Sequence, residues 1–128
     1  IEELRSRGVP LAVASASLRQ WVDATLRGLG LQDAFDTTVS ASDVNNSKPA
    51  PDLFLAAAQR LGVAPQDCLA VEDTLAGVRS AKAAGMFALQ LRAASTALPP
   101  LDEADLVLDS FADFDLSLLA SVAREAQP

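Results

Sequence analysis

Cysteine occurs once in this 128-residue chain, at Cys68, so no internal disulfide can form and nothing indicates an oxidising compartment. Methionine also occurs once, at Met86, so Ile1 is no natural initiation site. The opening Ile-Glu-Glu-Leu-Arg-Ser-Arg-Gly reads as the last turns of a helix stopped at Gly8, and the chain is expected to be the later part of something longer. Basic residues are outnumbered: 10 Lys and Arg face 17 Asp and Glu, for a net charge of −7 and a pI near 4.3. A nonspecific nucleic-acid grip needs a basic face, so that class of partner is excluded. No apolar run approaches the roughly 20 residues of a membrane span, and no signal peptide is visible. The expectation is a soluble, cytoplasmic protein with neither a membrane nor a nucleic acid as partner. Internal repeats and low-complexity tracts are absent as well.

What is present is a globular profile, 50% hydrophobic and 21% charged, long enough for one domain over 1–128 with a real core. Apolar runs and helical patterns alternate. Val9 to Ala14 reads as a buried strand, followed by a helix capped at Ser17, with Leu18, Trp21, Val22, Thr25, Leu26 and Leu29 on one face and Gly28 and Gly30 at its end. A second strand, near Thr37 to Ser40, is only moderately apolar and is placed towards a sheet edge. The turn-rich loop 43–52 leads through Pro51 and Asp52 into a helix with Leu53, Phe54, Ala57, Ala58 and Leu61 inward, closed by Gly62. Cys68 to Val71 is a third strand, and an alanine-rich helix then runs to Gly85. Phe87 to Leu91 and Leu106 to Leu108 are further strands, separated by an irregular connection over 94–104. A last helix is expected from about Asp113 to Glu125, with Gln127-Pro128 fraying, and Cys68, Trp21 and the phenylalanines are assigned to the core. Strands spaced by single helices give an α/β fold, a doubly wound, Rossmann-like parallel sheet with right-handed crossovers.

Three polar stations each follow a strand, where open α/β sheets bind ligands. Ser15 and Ser17 follow the first, Lys48 lies in the loop after the second, and Glu72 and Asp73 end the third. Two adjacent carboxylates at about 4 Å and an effective dielectric near 20 repel by roughly 4 kcal/mol, which a hard divalent ion would relieve. Hydroxyl and backbone donors at a helix start, one cation and a metal-competent acid pair are together what a phosphate group needs. Each station also has a plain structural role open to it: Ser17, Asp73 or Thr74 as helix caps, Ser15 as the partner of a backbone group, Lys48 as a solvated loop lysine.

The segments Leu-Ala-Val-Ala-Ser-Ala-Ser (11–17), Ser-Lys-Pro-Ala-Pro-Asp (47–52) and Val-Glu-Asp-Thr-Leu-Ala-Gly-Val-Arg-Ser-Ala-Lys-Ala-Ala-Gly (71–85) resemble the second, third and fourth motifs of the haloacid dehalogenase superfamily, closest to its phosphatase and β-phosphoglucomutase-like members. The likeness runs from about Gly8 to Leu91. It implies that Ser15 and the Ala16 N–H bind the transferring phosphoryl group, that Lys48 neutralises charge on it and on the nucleophile, and that Asp73 ligates Mg²⁺ with Glu72 as second or outer ligand. It also implies, more loosely, that Ser17 and Arg19 touch the substrate beyond its phosphate.

The departure from the family is the Asp-x-Asp that carries its nucleophile on a first strand, together with the helical cap. Neither is found in 1–128, and Asp113-Phe114-Asp115 has the spacing in the wrong place. The chain is expected to be the C-terminal part of a HAD-like core, open in the middle of its sheet between the strands ending at Ser15 and Glu72. The expected function is Mg²⁺-dependent phosphoryl transfer on a small phosphorylated metabolite, through an aspartyl-phosphate whose nucleophile lies outside this chain, the fragment alone being inactive. A complementing chain segment or a homo-oligomer would complete the sheet. The alternatives are a β-phosphoglucomutase-like mutase, a noncatalytic phosphate- or metal-binding module, and a purely structural or interaction domain.

Overall fold

Among the described residues every strand pairing is parallel, and a helix follows each strand except Phe87–Leu91. The structure is a computed structural model that describes residues 1–92 and 98–125; part of the 94–104 connection and the Gln127-Pro128 end lie outside the described residues. Helix α1 (Glu2–Ser6) ends before Gly8, whose φ of 73° is the left-handed turn that only glycine makes cheaply. Strand β1 (Ala12–Ala14) is shorter than its apolar run. Pro10 has no N–H to give, and the Leu11 N–H is taken by the Asp36 carboxylate at 2.7 Å.

Helix α2 (Arg19–Gly28) begins later than expected, and Ser17 does not cap it. The cap comes from another element: Ser42 Oγ accepts the Arg19 N–H at 3.1 Å. The apolar face of α2 is also wider than the surface it meets. Val22 and Leu26 are buried, whereas Trp21 is 61% exposed and Leu18 and Leu29 are exposed with it, so Trp21 is not core. Phe111 is likewise exposed.

Among the described residues strand β2 (Thr37–Val39) pairs with β1 alone, the edge position its modest apolarity suggests. Helix α3 (Asp52–Leu61) follows the turn-rich loop and is closed by Gly62 in the left-handed conformation. Strand β3 (Leu69–Glu72), helix α4 (Leu75–Ala83), strand β4 (Phe87–Leu91) and strand β5 (Leu106–Leu108) complete a second sheet, ordered β3-β4-β5. The last helix, α5 (Ser117–Glu125), starts later than Asp113, because residues Phe111–Asp113 form a 3₁₀ turn and Phe114 is extended.

Strands β1 and β3 do not pair, so the sheet is divided in two at the place where their carboxyl ends carry Ser15 and Asp73. Helix α3 spans the division. Its Leu53 and Ala57 pack with Val39 under β1 and β2, and its Phe54 and Ala58 pack with Ala70, Val78, Ala81 and Ala88 under β3 and β4. Residues four apart on a helix share a face, so two neighbouring faces of one helix serve the two half-sheets. Leu53 is wholly buried there, a contribution of roughly 1.5–3 kcal/mol.

Candidate functional site

Lys48 closes the mouth of the division. Its Nζ donates to the Ala14 carbonyl at 3.0 Å and forms an ion pair with the Glu72 carboxylate. Ser15 N–H points the other way, to Val39 O of β2 at 2.9 Å. The Ala14 carbonyl belongs to the same trans peptide unit as that N–H and so points oppositely, towards the inner edge, where Lys48 meets it. The ammonium also lies 4.9 Å from the centre of the Phe54 ring, a cation–π contact. Side-chain exposures of 13% for Lys48 and 9% for Glu72 make this a largely desolvated pair.

The loop carrying Lys48 is anchored at both ends. Asn46 donates its backbone and side-chain N–H groups to Asp52, each at 3.2 Å. Ala50 O accepts the hydroxyl of the fully buried Ser80 on α4 at 2.6 Å. The Lys48–Pro49 peptide is cis. Ser80 escaped the reading of the sequence. Its only signal is a hydroxyl on a helix face otherwise made of Gly77, Val78, Ala81 and Ala84.

Ser15 and Ser17 form one tight turn after β1, with Ser15 Oγ accepting the Ser17 N–H at 3.1 Å. The Ser15 hydroxyl proton stays free to donate to a ligand, and the exposed Ala16 N–H has no acceptor among the described residues. Ser17 itself is exposed.

On the opposite side Glu72 lies in register with Gln90 of β4, and Asp73 is the first residue beyond the strand. The cap of α4 is Thr74, whose Oγ1 accepts the Gly77 N–H at 3.0 Å. Asp73 is therefore not used as a cap; among the described residues its exposed carboxylate has no hydrogen-bond or ionic partner. Glu72 folds back over Gly77, where any Cβ would overlap its carboxylate. The motif's glycine thus provides space for the motif's acid.

No three His, Cys, Asp or Glu side chains among the described residues cluster as a metal site. Mg²⁺, however, is usually held by one or two carboxylates with water and substrate oxygens completing its shell. A free aspartate beside a glutamate, both hard oxygen donors, fits that requirement in part. The cation that offsets Glu72 here is Lys48.

Lys48 thus joins the two strand ends that Ser15 and Asp73 directly follow. Arg19 has other partners. Its guanidinium donates to Thr38 Oγ1 at 2.5 Å, to Thr38 O at 2.7 Å and to Asp43 Oδ2 at 2.5 Å.

Residues 1–85 match the family of haloacid dehalogenase-like hydrolases. The fructose-1-phosphate phosphatase of Escherichia coli is 46% identical over 83 residues, 65% of this chain and 44% of that protein. The β-phosphoglucomutase of Bacillus subtilis is 37% identical over 117 residues, 91% of this chain and 49% of that protein. Among solved structures, β-phosphoglucomutase from Clostridium difficile superposes with a TM-score of 0.82 at 30% identity, covering 97% of this chain and 53% of that one. The chain spans about half the length of these relatives. With the family matched over residues 1–85 and the three motif segments meeting at Lys48, the chain belongs to the haloacid dehalogenase-like hydrolases.

Proposed function

We propose that this chain is the greater part of the core of a phosphatase acting on a small sugar phosphate. The observation that carries the reading is Lys48 Nζ held between Ala14 O and the Glu72 carboxylate, because it sets a cation beside hydroxyl and N–H donors on one side and a free carboxylate on the other. Phosphoryl transfer asks the protein chiefly for position and for charge stabilisation on the equatorial oxygens. Ser15 Oγ and the Ala16 N–H would donate to those oxygens. Lys48 would neutralise the charge they share with the attacking carboxylate. Asp73 would hold Mg²⁺ directly and Glu72 through water, the ion supplying further neutralisation at the phosphate.

The attacking carboxylate has no counterpart among the described residues of the crevice. We assign it to an extended segment outside 1–128, seated between the inner edges of β1 and β3 and forming the aspartyl-phosphate there. The β-phosphoglucomutase relatives, one of which superposes over 97% of the chain, support a second reading in which the phosphoryl group returns to a sugar and not to water.

The complete polypeptide carrying this core, given Mg²⁺ and fructose 1-phosphate or β-glucose 1-phosphate, is expected to release inorganic phosphate. Isomerisation without release selects the mutase, and neither product refutes both readings. Residues 1–128 alone are expected to bind phosphate without turnover; hydrolysis of a generic phosphate ester by them would overturn the assignment of the nucleophile.

A further inference from the structure

The turn that carries Ser15 and Ala16 is fastened to the turn from which the Lys48 loop departs. Ala41 N–H donates to Ser17 O at 2.8 Å, and Arg19 N–H to Ser42 Oγ at 3.1 Å. The Arg19 guanidinium continues the line. It meets Thr38 twice, Asp43 Oδ2 at 2.5 Å, and Asp23 of its own helix at 3.4 Å. Asp43 Oδ2 also accepts the N–H and hydroxyl of the fully buried Ser40, at 2.8 and 2.9 Å. Its other oxygen faces Arg60 of α3 at 3.9 Å, and Arg60 donates to Thr38 O at 3.0 Å.

One carboxylate therefore joins three places. They are the start of α2 directly after Ser15–Ser17, the turn from which the Lys48 loop departs, and the helix to which that loop returns. Resting on the phosphoryl-transfer reading of the crevice, we infer that Arg19 is a positioning residue: through Asp43 it sets the spacing between the Ser15 and Ala16 donors and Lys48, and it does not touch substrate. The residue type suits the task. A planar guanidinium holds several acceptors at fixed angles, which an ammonium on a flexible stem does not. Spacing matters because a misplacement of about 1 Å in such a site costs on the order of 100-fold in rate.

The test compares wild type, Arg19→Lys, Arg19→Ala, Asp43→Asn and the Arg19→Ala/Asp43→Asn double variant of the complete enzyme. Two phosphate esters that differ beyond the phosphate are used, and amide hydrogen exchange is followed over residues 44–52. Arg19→Ala and Asp43→Asn are each expected to lower kcat roughly 10- to 100-fold, by the same factor on both esters. The double variant should be no worse than the poorer single one, and Arg19→Lys should fall between wild type and Arg19→Ala. Exchange over 44–52 should rise while that of β4 stays unchanged. A KM increase confined to one ester in Arg19→Ala, with Asp43→Asn near wild type, would make Arg19 a substrate contact and overturn the proposal. Unchanged exchange over 44–52 in both single variants, or Arg19→Lys indistinguishable from wild type, would also overturn it. A wild-type enzyme that turns over no phosphate ester refutes the reading of the crevice alone, and the exchange data still judge the fastening.

Discussion

The Glu72 carboxylate occupies the space that a side chain on Gly77 would fill. Gly77 lies in the first turn of α4, where alanine would ordinarily gain up to about 1 kcal/mol of helix propensity. Here the added methyl must push Glu72 away from Lys48. Gly77→Ala is therefore expected to lower stability in urea titrations and activity in the complete enzyme. In a Glu72→Ala background the same change should be neutral, or stabilising by up to about 1 kcal/mol. A Gly77→Ala protein as stable and active as wild type would mean the carboxylate can leave its place without consequence.

Lys48 and Glu72 form a desolvated pair whose members depend on each other. Removing the ammonium leaves a buried carboxylate and the Ala14 carbonyl without their donor, and breaking a buried pair costs about 3–5 kcal/mol. Lys48→Met keeps the apolar stem over Phe54 and isolates the loss of charge. It should destabilise by a few kcal/mol, and Lys48→Met/Glu72→Gln by clearly less than the sum of the singles. In the complete enzyme Lys48→Ala should lower kcat roughly 10²- to 10³-fold. Additive losses in denaturation would deny the coupling, and near-wild-type turnover would deny Lys48 its part in the chemistry.

The strands were legible as short, mainly apolar runs: Phe87–Leu91, interrupted only by Gln90, and Leu106–Leu108 fall where the sequence places them. Gly8, Gly62 and the Pro51-Asp52 helix start were legible because their backbone chemistry is local. Ser17 as a cap was misread because Ser42, distant in sequence, supplies that bond. Trp21 was misread because periodicity shows that a face is apolar but not whether anything covers it. The crevice was foreseeable as a set of residue types following strands, whereas its fastening was not. The bonds of Arg19 to Thr38 and Asp43, and of Ser80 to Ala50, join residues that no local spacing relates.

Asp73→Asn tests the proposed metal binding apart from folding. Its carboxylate is exposed and unpartnered among the described residues, and surface changes of that kind stay within about 0.5 kcal/mol. Asp73→Asn should leave the urea midpoint almost unmoved while weakening Mg²⁺ binding by calorimetry and removing Mg²⁺-dependent turnover in the complete enzyme. A large loss of stability would instead make Asp73 structural, and unaltered Mg²⁺ affinity would remove it from the metal site.

Asp43 gives the fold a specific response to acid. Its carboxyl is held down at about 2 from an ordinary 3.8, chiefly by the Ser40 N–H, then by the Arg19 guanidinium and the Ser40 hydroxyl, with burial opposing. A depressed carboxyl contributes its stability in full above the unfolded-state value and loses it as pH falls through the folded one. The contribution is therefore present above about pH 4 and disappears towards pH 2. Urea titrations of wild type and Asp43→Asn should differ by a constant amount from neutral pH to about pH 5, and the gap should narrow over the window below about pH 4. Arg19→Ala should shrink that acid-dependent gap only partly, since the Ser40 N–H is the larger cause and remains in place. A gap that stays constant through the window would show that ionised Asp43 is not what holds the two turns together.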